Sequence, residues 1–333
     1  MSSMKRREFI TLFGGAVAAW PLAARAQEAE RPRRVGILIG SFEKDDSVPQ
    51  AELNAFKEAL AAAGWHEGTN VHFEYRWGGG APTRIRSAAK DLANLRLDVI
   101  VTRAAPATAE MLKQTTTIPV VFVQVANPVR VGFVKSFARP SANVTGFANE
   151  EPSIPSKWLA LLKELLPRLN QATLIHHPET TLWDDLIPVF EGAAVSLGIK
   201  ANVVPVRDAI QIENAIAAAR SVPTAALVAA PDSFIAGHHD LVIRLAAQNR
   251  LPLMAGFKYW TQHGGLISYG SDPTDLFRRT ASYVDRILRG TRPTDLPVQG
   301  PTRFEMVINL KTSKALDLEI PPMLLARADE VIE

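Results

Sequence analysis

No cysteine occurs among the 333 residues, which excludes disulfides, thiolate metal sites, cysteine nucleophiles and a lipid-bearing N-terminal cysteine. Long apolar runs are missing too. The N-terminal stretch from Phe9 to Leu22 is broken by Gly14, Gly15 and Pro21 and falls short of the ~20 residues that a membrane span requires. The turn after the first expected strand reads Gly40-Ser41-Phe42-Glu43-Lys44-Asp45, without the Gly-x-Gly-x-x-Gly that seats a dinucleotide pyrophosphate. Gly78-Gly79-Gly80 lacks the Lys and Ser/Thr of a P-loop, and there is no Gly-x-Ser-x-Gly elbow. The pairs His176-His177 and His238-His239, the latter beside Asp240, show neither His-Glu-x-x-His spacing nor cysteine partners, and His66-Glu67 lacks a second histidine. Neither an enzyme nor a cofactor or metal protein is expected.

Excess basic charge vanishes once the first 26 residues are set aside. Lys5, Arg6, Arg7 and Arg25 against Glu8 give that segment a net +3, which is the formal charge of the whole chain. The remainder of the chain is neutral and has no basic run suggesting a nucleic-acid partner. The segment itself reads as an export leader. A basic start precedes an apolar stretch, and Ala24-Arg25-Ala26 is a small-x-small cleavage site, so the mature chain is expected to begin at Gln27. Arg6-Arg7 followed by Glu8-Phe9-Ile10 resembles the twin-arginine signal for proteins exported already folded. The expectation is a freely soluble, monomeric protein of the bacterial periplasm without stable membrane insertion.

From Arg34 onward, short β-branched runs alternate with amphipathic helices, the pattern of βαβ units around parallel sheets. Strands are expected at Val35 to Ile39, Val71 to Trp77, Asp98 to Thr102, Val120 to Val125 and Asn143 to Phe147. Further strands are expected at Ala172 to His176, Ala201 to Pro205, Ala226 to Ala229, Pro252 to Met254 and Leu266 to Tyr269. A long helix from about Thr274 to Leu288 carries Leu276, Phe277, Tyr283, Val284, Ile287 and Leu288 on one face. About 300 residues exceed what one core usually serves, so two lobes are expected, with a break near Phe147 to Pro155 where Asn149, Glu150, Glu151 and Pro152 interrupt the rhythm.

Several strings, in order and spacing, carry a resemblance. They include Gly64-Trp65-His66-Glu67-Gly68-Thr69-Asn70, Ile118-Pro119-Val120-Val121-Phe122, Asn127-Pro128-Val129, Asn143-Val144-Thr145-Gly146-Phe147 and Gly264-Gly265-Leu266-Ile267-Ser268-Tyr269-Gly270. The tail adds Asp295-Leu296-Pro297-Val298, Val307-Ile308-Asn309-Leu310 and Ala326-Arg327-Ala328-Asp329-Glu330-Val331-Ile332-Glu333. Across essentially the whole mature chain the sequence resembles the ABC transporter substrate-binding family that includes tryptophan-binding lipoproteins. The resemblance implies the type I periplasmic-binding architecture: two Rossmann-like α/β lobes joined by several crossing strands. On that reading the N-terminal lobe comprises residues 33–147 plus 271–298 and the C-terminal lobe 148–270 plus 299–333. The implied partners are a small-molecule ligand, a membrane permease and its ATPase. An amino acid, aromatic ones included, is the expected ligand. An aromatic carboxylate or other small metabolite, or a role as a sensor feeding a signalling receptor, stays open.

In open α/β sheets, ligands bind beyond the carboxyl ends of strands, which narrows the site to short loops. Ser41 offers a hydroxyl or a helix cap, and Phe42 an aromatic face. Thr102-Arg103-Ala104-Ala105-Pro106 joins a strand to a helix with small residues, so the Ala104 and Ala105 region and the Thr102 hydroxyl hold a carboxylate or form an ordinary strand-to-helix turn. Arg103 points outward, makes a lobe contact, or pairs with an anionic ligand. Asn127 is a turn residue or a ligand contact. In the second lobe the candidates are His177, Asp232 and Phe257, with Phe147 from the break. Asp232 would face a ligand ammonium or serve only as a helix cap. Each aromatic residue would be a wall of the site or simply core.

Overall fold

The computed structural model describes residues 31–140, 142–149, 151–180 and 185–333. The expected leader, residues 1–26 with its cleavage site near Ala26, lies outside the described residues, as does Glu150 in the expected break.

The first part of the chain runs β1 (Arg33–Ile39), α1 (Ser47–Ala62), β2 (Val71–Trp77), α2 (Pro82–Ala93), β3 (Val99–Arg103), α3 (Ala105–Gln114), β4 (Val120–Val125) and β5 (Val144–Ala148). These strands form a parallel five-stranded sheet in the order β2-β1-β3-β4-β5. The next part repeats the plan with α4 (Ile154–Leu165), β6 (Gln171–His176), α5 (Leu186–Ser196), β7 (Lys200–Pro205), α6 (Ala209–Arg220) and β8 (Ala225–Ala229). It continues with α7 (Ser233–Gly237), α8 (His239–Gln248), β9 (Leu253–Ala255), α9 (Lys258–Gln262) and β10 (Ile267–Ser271). Its strand order, β7-β6-β8-β9-β10, is that of the first sheet with β6 in the place of β1.

Local sequence accounts for these elements. β1, β3 and β4 are near-continuous Val, Ile and Leu because helices cover both faces of a parallel sheet, and their side chains are buried accordingly. Helix α1 starts where the Asp46 carboxylate accepts the Val48 amide at 2.9 Å. It ends before Gly64, whose φ of +94° is the left-handed closure that glycine permits.

The chain passes between the sheets three times. It leaves the first sheet after β5 and returns after β10 as α10 (Pro273–Leu288), which packs against α1. The apolar stripe expected on this helix is buried at all six positions. At ~1.5 to 3 kcal/mol per buried large side chain, that stripe is a principal tie between α10 and the first lobe. Asp272 caps α10 through the Thr274 and Asp275 amides. The third passage follows Gln299, whose amide and carbonyl bond Gly146 and Ala148 beside β5.

The last passage leads to β11 (Phe304–Asn309), α11 (Leu310–Ala315), α12 (Pro322–Leu325) and β12 (Glu330–Ile332). β11 pairs antiparallel with β10 and β12 parallel with β11, extending the second sheet to seven strands. These two strands were not expected from the sequence. The expected parallel strands all occur, with ends displaced by no more than two residues.

Candidate functional site

The carboxyl ends of the two sheets face each other, and the loops there meet. Phe42, just beyond β1, lies under the Arg103 guanidinium at 4.5 Å from its ring. Its edges meet His239 and Tyr259 of the second lobe at ring separations of 5.9 and 6.1 Å. The Ser41 carbonyl abuts Gly237 at the end of α7, where a Cβ would come within 2.8 Å of that oxygen. Phe42 is therefore a lobe-to-lobe contact.

Backbone strain gathers at these strand ends in the first lobe. Ala104, the N-cap of α3, has φ 70° and ψ 161°, a conformation that L side chains rarely adopt. Gln124 (φ 58°) sits where the β4–β5 register shifts, and Asn127 (φ 40°) follows in the next turn. No side chain caps α3, and Pro106 occupies its first turn. Amides at the start of this ten-residue helix, beside the small Ala104 and Ala105 side chains, thus have no side-chain cap.

The Thr102 hydroxyl does not join them, contrary to expectation: it pairs with the Thr108 hydroxyl at 2.8 Å, and Thr108 in turn bonds the Ala104 carbonyl. Arg103 does not point outward. Its Nε and a terminal nitrogen donate to the Glu52 carboxylate at 2.7 and 3.0 Å, each side chain being 3% exposed. Gln124 also donates to Glu52, at 3.0 Å. Asn127 closes its own turn by accepting the Arg130 amide and reaches Asp185 of the second lobe at 3.5 Å.

In the second lobe, Asp232 takes the helix-cap alternative. One carboxylate oxygen accepts the Ile235 amide at 2.7 Å and the other the His177 amide at 2.8 Å, with Thr180 at 3.4 Å. Burial pushes its carboxyl up to about 7 against the downward pull of these amides. A ligand ammonium would find both oxygens occupied. The His177 ring packs on Phe234 and accepts the Glu179 amide, and burial lowers its pKa. Phe147 is not a cleft wall: its ring is wholly buried, 4.7 Å from that of Tyr283 and 5.2 Å from the Arg279 guanidinium.

Phe257 does face the junction. With Trp158, Asn149, Pro231 and Ser271 it lines a cavity of about 30 Å³, space for roughly one water. Around the junction, Ser41 Oγ, Asn149 Oδ1, Ser233 Oγ, Ser271 Oγ and the Tyr259 hydroxyl are buried without a hydrogen-bond partner. Buried polar groups are normally satisfied, so each of these exceptions calls for a partner such as a water or a ligand, and two of them, Asn149 and Ser271, line the small cavity. Sequence reading missed Asn149, Trp158 and Ser271. Asn149 and Ser271 could have been found by the strand-end rule already applied, since each lies at or just past the end of a strand. Among the described residues no group of three or more His, Asp or Glu could hold a metal, and no helix is long and apolar enough to cross a membrane.

A family model described as ABC transporter substrate binding protein matches residues 40–332. A tyrosine-binding protein from Clostridioides difficile (strain R20291) is 25% identical over 299 residues, covering 88% of this chain and 84% of that protein. Among solved structures, an ABC domain from Streptococcus pneumoniae in complex with L-Trp superposes with a TM-score of 0.83 at 22% identity, covering 90% of this chain and all of the other. The ligand-free, open form of a substrate-binding protein with adhesive properties from Clostridium difficile, also 22% identical, gives a TM-score of 0.66 over 90% of this chain and 99% of that one. These likenesses show the type I periplasmic-binding fold.

Proposed function

This chain belongs to the ABC transporter substrate-binding protein family, and on that premise we propose that it captures an aromatic amino acid between its lobes and delivers it to a membrane permease driven by a partner ATPase. It performs no chemistry on the ligand and acts outside the cytoplasm, exported through the leader at residues 1–26. The observation that carries the reading is the coincidence of strained backbone at Ala104, Gln124 and Asn127 with unpartnered polar groups where the two sheets' carboxyl ends meet. The α3 amides by Ala104 and Ala105 hold the carboxylate, Ser41, Asn149 and Ser271 supply hydrogen bonds, and Phe257 with Trp158 supplies the apolar wall. The C. difficile relative's tyrosine and the bound tryptophan of the S. pneumoniae structure support the ligand class.

A cavity of about 30 Å³ is far below the ~300 to 1,000 Å³ of ordinary ligand sites, so entry requires the lobes to part. Ligand then favours the arrangement in which Phe42 meets His239 and Tyr259, by touching both lobes at once. The saturated Asp232 carboxylate favours a second reading, an aromatic carboxylate without an amino group. Thermal-shift and calorimetric titration of the purified chain with tyrosine, tryptophan, phenylalanine and 4-hydroxybenzoate separates the two. A ligand present at 100 times its dissociation constant adds about 2.7 kcal/mol of stability. Response to the amino acids supports the first reading and response to 4-hydroxybenzoate alone the second. Silence toward all four overturns both.

A further inference from the structure

A second cavity, of about 560 Å³, lies between α1 of the first lobe and α9 and β11 of the second, beside the Asp272–Thr274 crossing. It shares no lining residue with the smaller cavity at the strand ends. The stacked pair Phe257 and Tyr259 links them, Phe257 lining the small one and Tyr259 the large one. The larger volume falls within the range of small-molecule sites.

The charges in its wall are paired, with one exception. Glu52 is bound by Arg103 and Gln124. Lys258 pairs with Glu330. Asp272 caps α10 through one oxygen, and its other oxygen faces Arg303 at 3.7 Å. His263 engages the Tyr259 carbonyl through Nδ1. Glu305 is left over: it is only 8% exposed, it lines the cavity, and no hydrogen bond or ion pair holds its carboxylate among the described residues. A buried carboxylate without a partner is costly and normally absent from a folded protein. Burial, first, and the neighbouring Asp272 charge raise its pKa, against the downward pull of the Lys258 and Arg303 cations in the same wall.

We propose that this cavity is a second ligand site, which takes a small primary amine with a short apolar stem, its ammonium on Glu305 and its stem against Val48 and Tyr259. A hard divalent cation fits poorly, because such an ion wants about six or more oxygen ligands and the other carboxylates here are engaged. An ammonium needs one carboxylate and neutral acceptors, and the wall offers the Ser47 and Thr274 hydroxyls and Gln262. The site stands independently of the aromatic ligand proposed above.

Calorimetric titration with n-butylamine tests it, with butyrate as the probe of like shape and opposite charge. Saturable binding of butylamine but not butyrate is expected, at least about tenfold weaker in Glu305→Gln, a charge-assisted bond being exchanged for a neutral one. Glu305→Gln should melt at or above the wild type at neutral pH, because it removes a disfavoured buried charge. Ala51→Leu, an exposed position on α1 that lines the cavity, should also block butylamine by filling space. Tyrosine binding should be unchanged in both variants, so loss of the aromatic reading would leave this result standing. Equal butylamine binding in both variants, saturable binding of butyrate, or no saturable heat from butylamine overturns the proposal.

Discussion

The two sheets share one strand order, so each loop at the cleft has a counterpart across it, and the most instructive pair is the turn after β3 against the turn after β8. In the first lobe that turn ends in Ala104, with strained backbone and no side chain on the α3 amides. In the second it ends in Asp232, with relaxed backbone and a carboxylate that satisfies both the Ile235 and His177 amides. The asymmetry extends along the sheets. Gln124 and Asn127 add positive φ at the cleft in the first lobe. Among the described residues, the second lobe's positive-φ residues other than glycine, Thr224, Arg250 and Asp317, follow helices and lie away from its strands' carboxyl ends. Strain held at a ligand site is a mark of preorganisation. On the proposed function, the first lobe is the platform on which the ligand lands, and the second, its helix cap at Asp232 already satisfied, closes over it.

Asp232→Ala probes this contrast with the largest expected effect. Loss of the cap costs ~1 kcal/mol, and the buried His177 amide left bare adds ~1 to 3 kcal/mol, so denaturant unfolding should show a loss of about 2 to 4 kcal/mol. Affinity for the aromatic ligand should stay within about threefold of the wild type, below the ~1.4 kcal/mol of a tenfold change. Because burial holds the folded-state value near 7, above the unfolded 3.8, the stability this group contributes is full at low pH and is lost as pH rises through about 7. The variant's deficit should therefore be larger at about pH 5 than at about pH 8. Affinity that collapsed while stability held would reverse the roles of the two lobes.

The parallel core was legible because Val- and Ile-rich runs between helices admit few other readings, and the strand-end rule then narrowed the candidates to the loops where the two sheets' carboxyl ends meet. Strands β11 and β12 were hidden for a physical reason: Glu305-Met306-Val307 does not alternate, and a three-residue strand has too little pattern to register. At these loops, the places of the residues were readable but the fates of their polar atoms were not. Whether Asp232 meets a ligand or an amide depends on Ile235 and His177 arriving together from different elements, and whether the Thr102 hydroxyl is free depends on Thr108 one helical turn into α3. The strain at Ala104 was hidden more deeply, since alanine is a residue that normally avoids that conformation.

Ala104→Gly addresses that strain with an intermediate effect. Relief of ~1 to 3 kcal/mol in the folded state is offset by ~0.5 to 1 kcal/mol of added freedom in the unfolded chain. A net stabilisation of about 1 kcal/mol is expected, read from denaturant midpoints at unchanged slope. A destabilised variant would show that the turn is held without strain and would remove the main difference between the lobes.

The lobes differ in backbone but agree in their unpartnered side chains, and this agreement sets the smallest expected effect. Asn149 just after β5 and Ser271 at the end of β10 occupy equivalent places, line the same cavity and are both unsatisfied. A buried hydroxyl that makes no bond is itself a cost of ~1 to 3 kcal/mol, so Ser271→Ala should leave stability at or slightly above that of the wild type. The same hydroxyl bonded to ligand contributes about 1 kcal/mol, so affinity for the aromatic ligand should fall roughly fivefold. Stability and affinity thus move apart at Ser271 in the sense opposite to Asp232. A variant that lost stability without losing affinity would place Ser271 with the caps of the cover and leave the strained turns of the first lobe to hold the ligand alone.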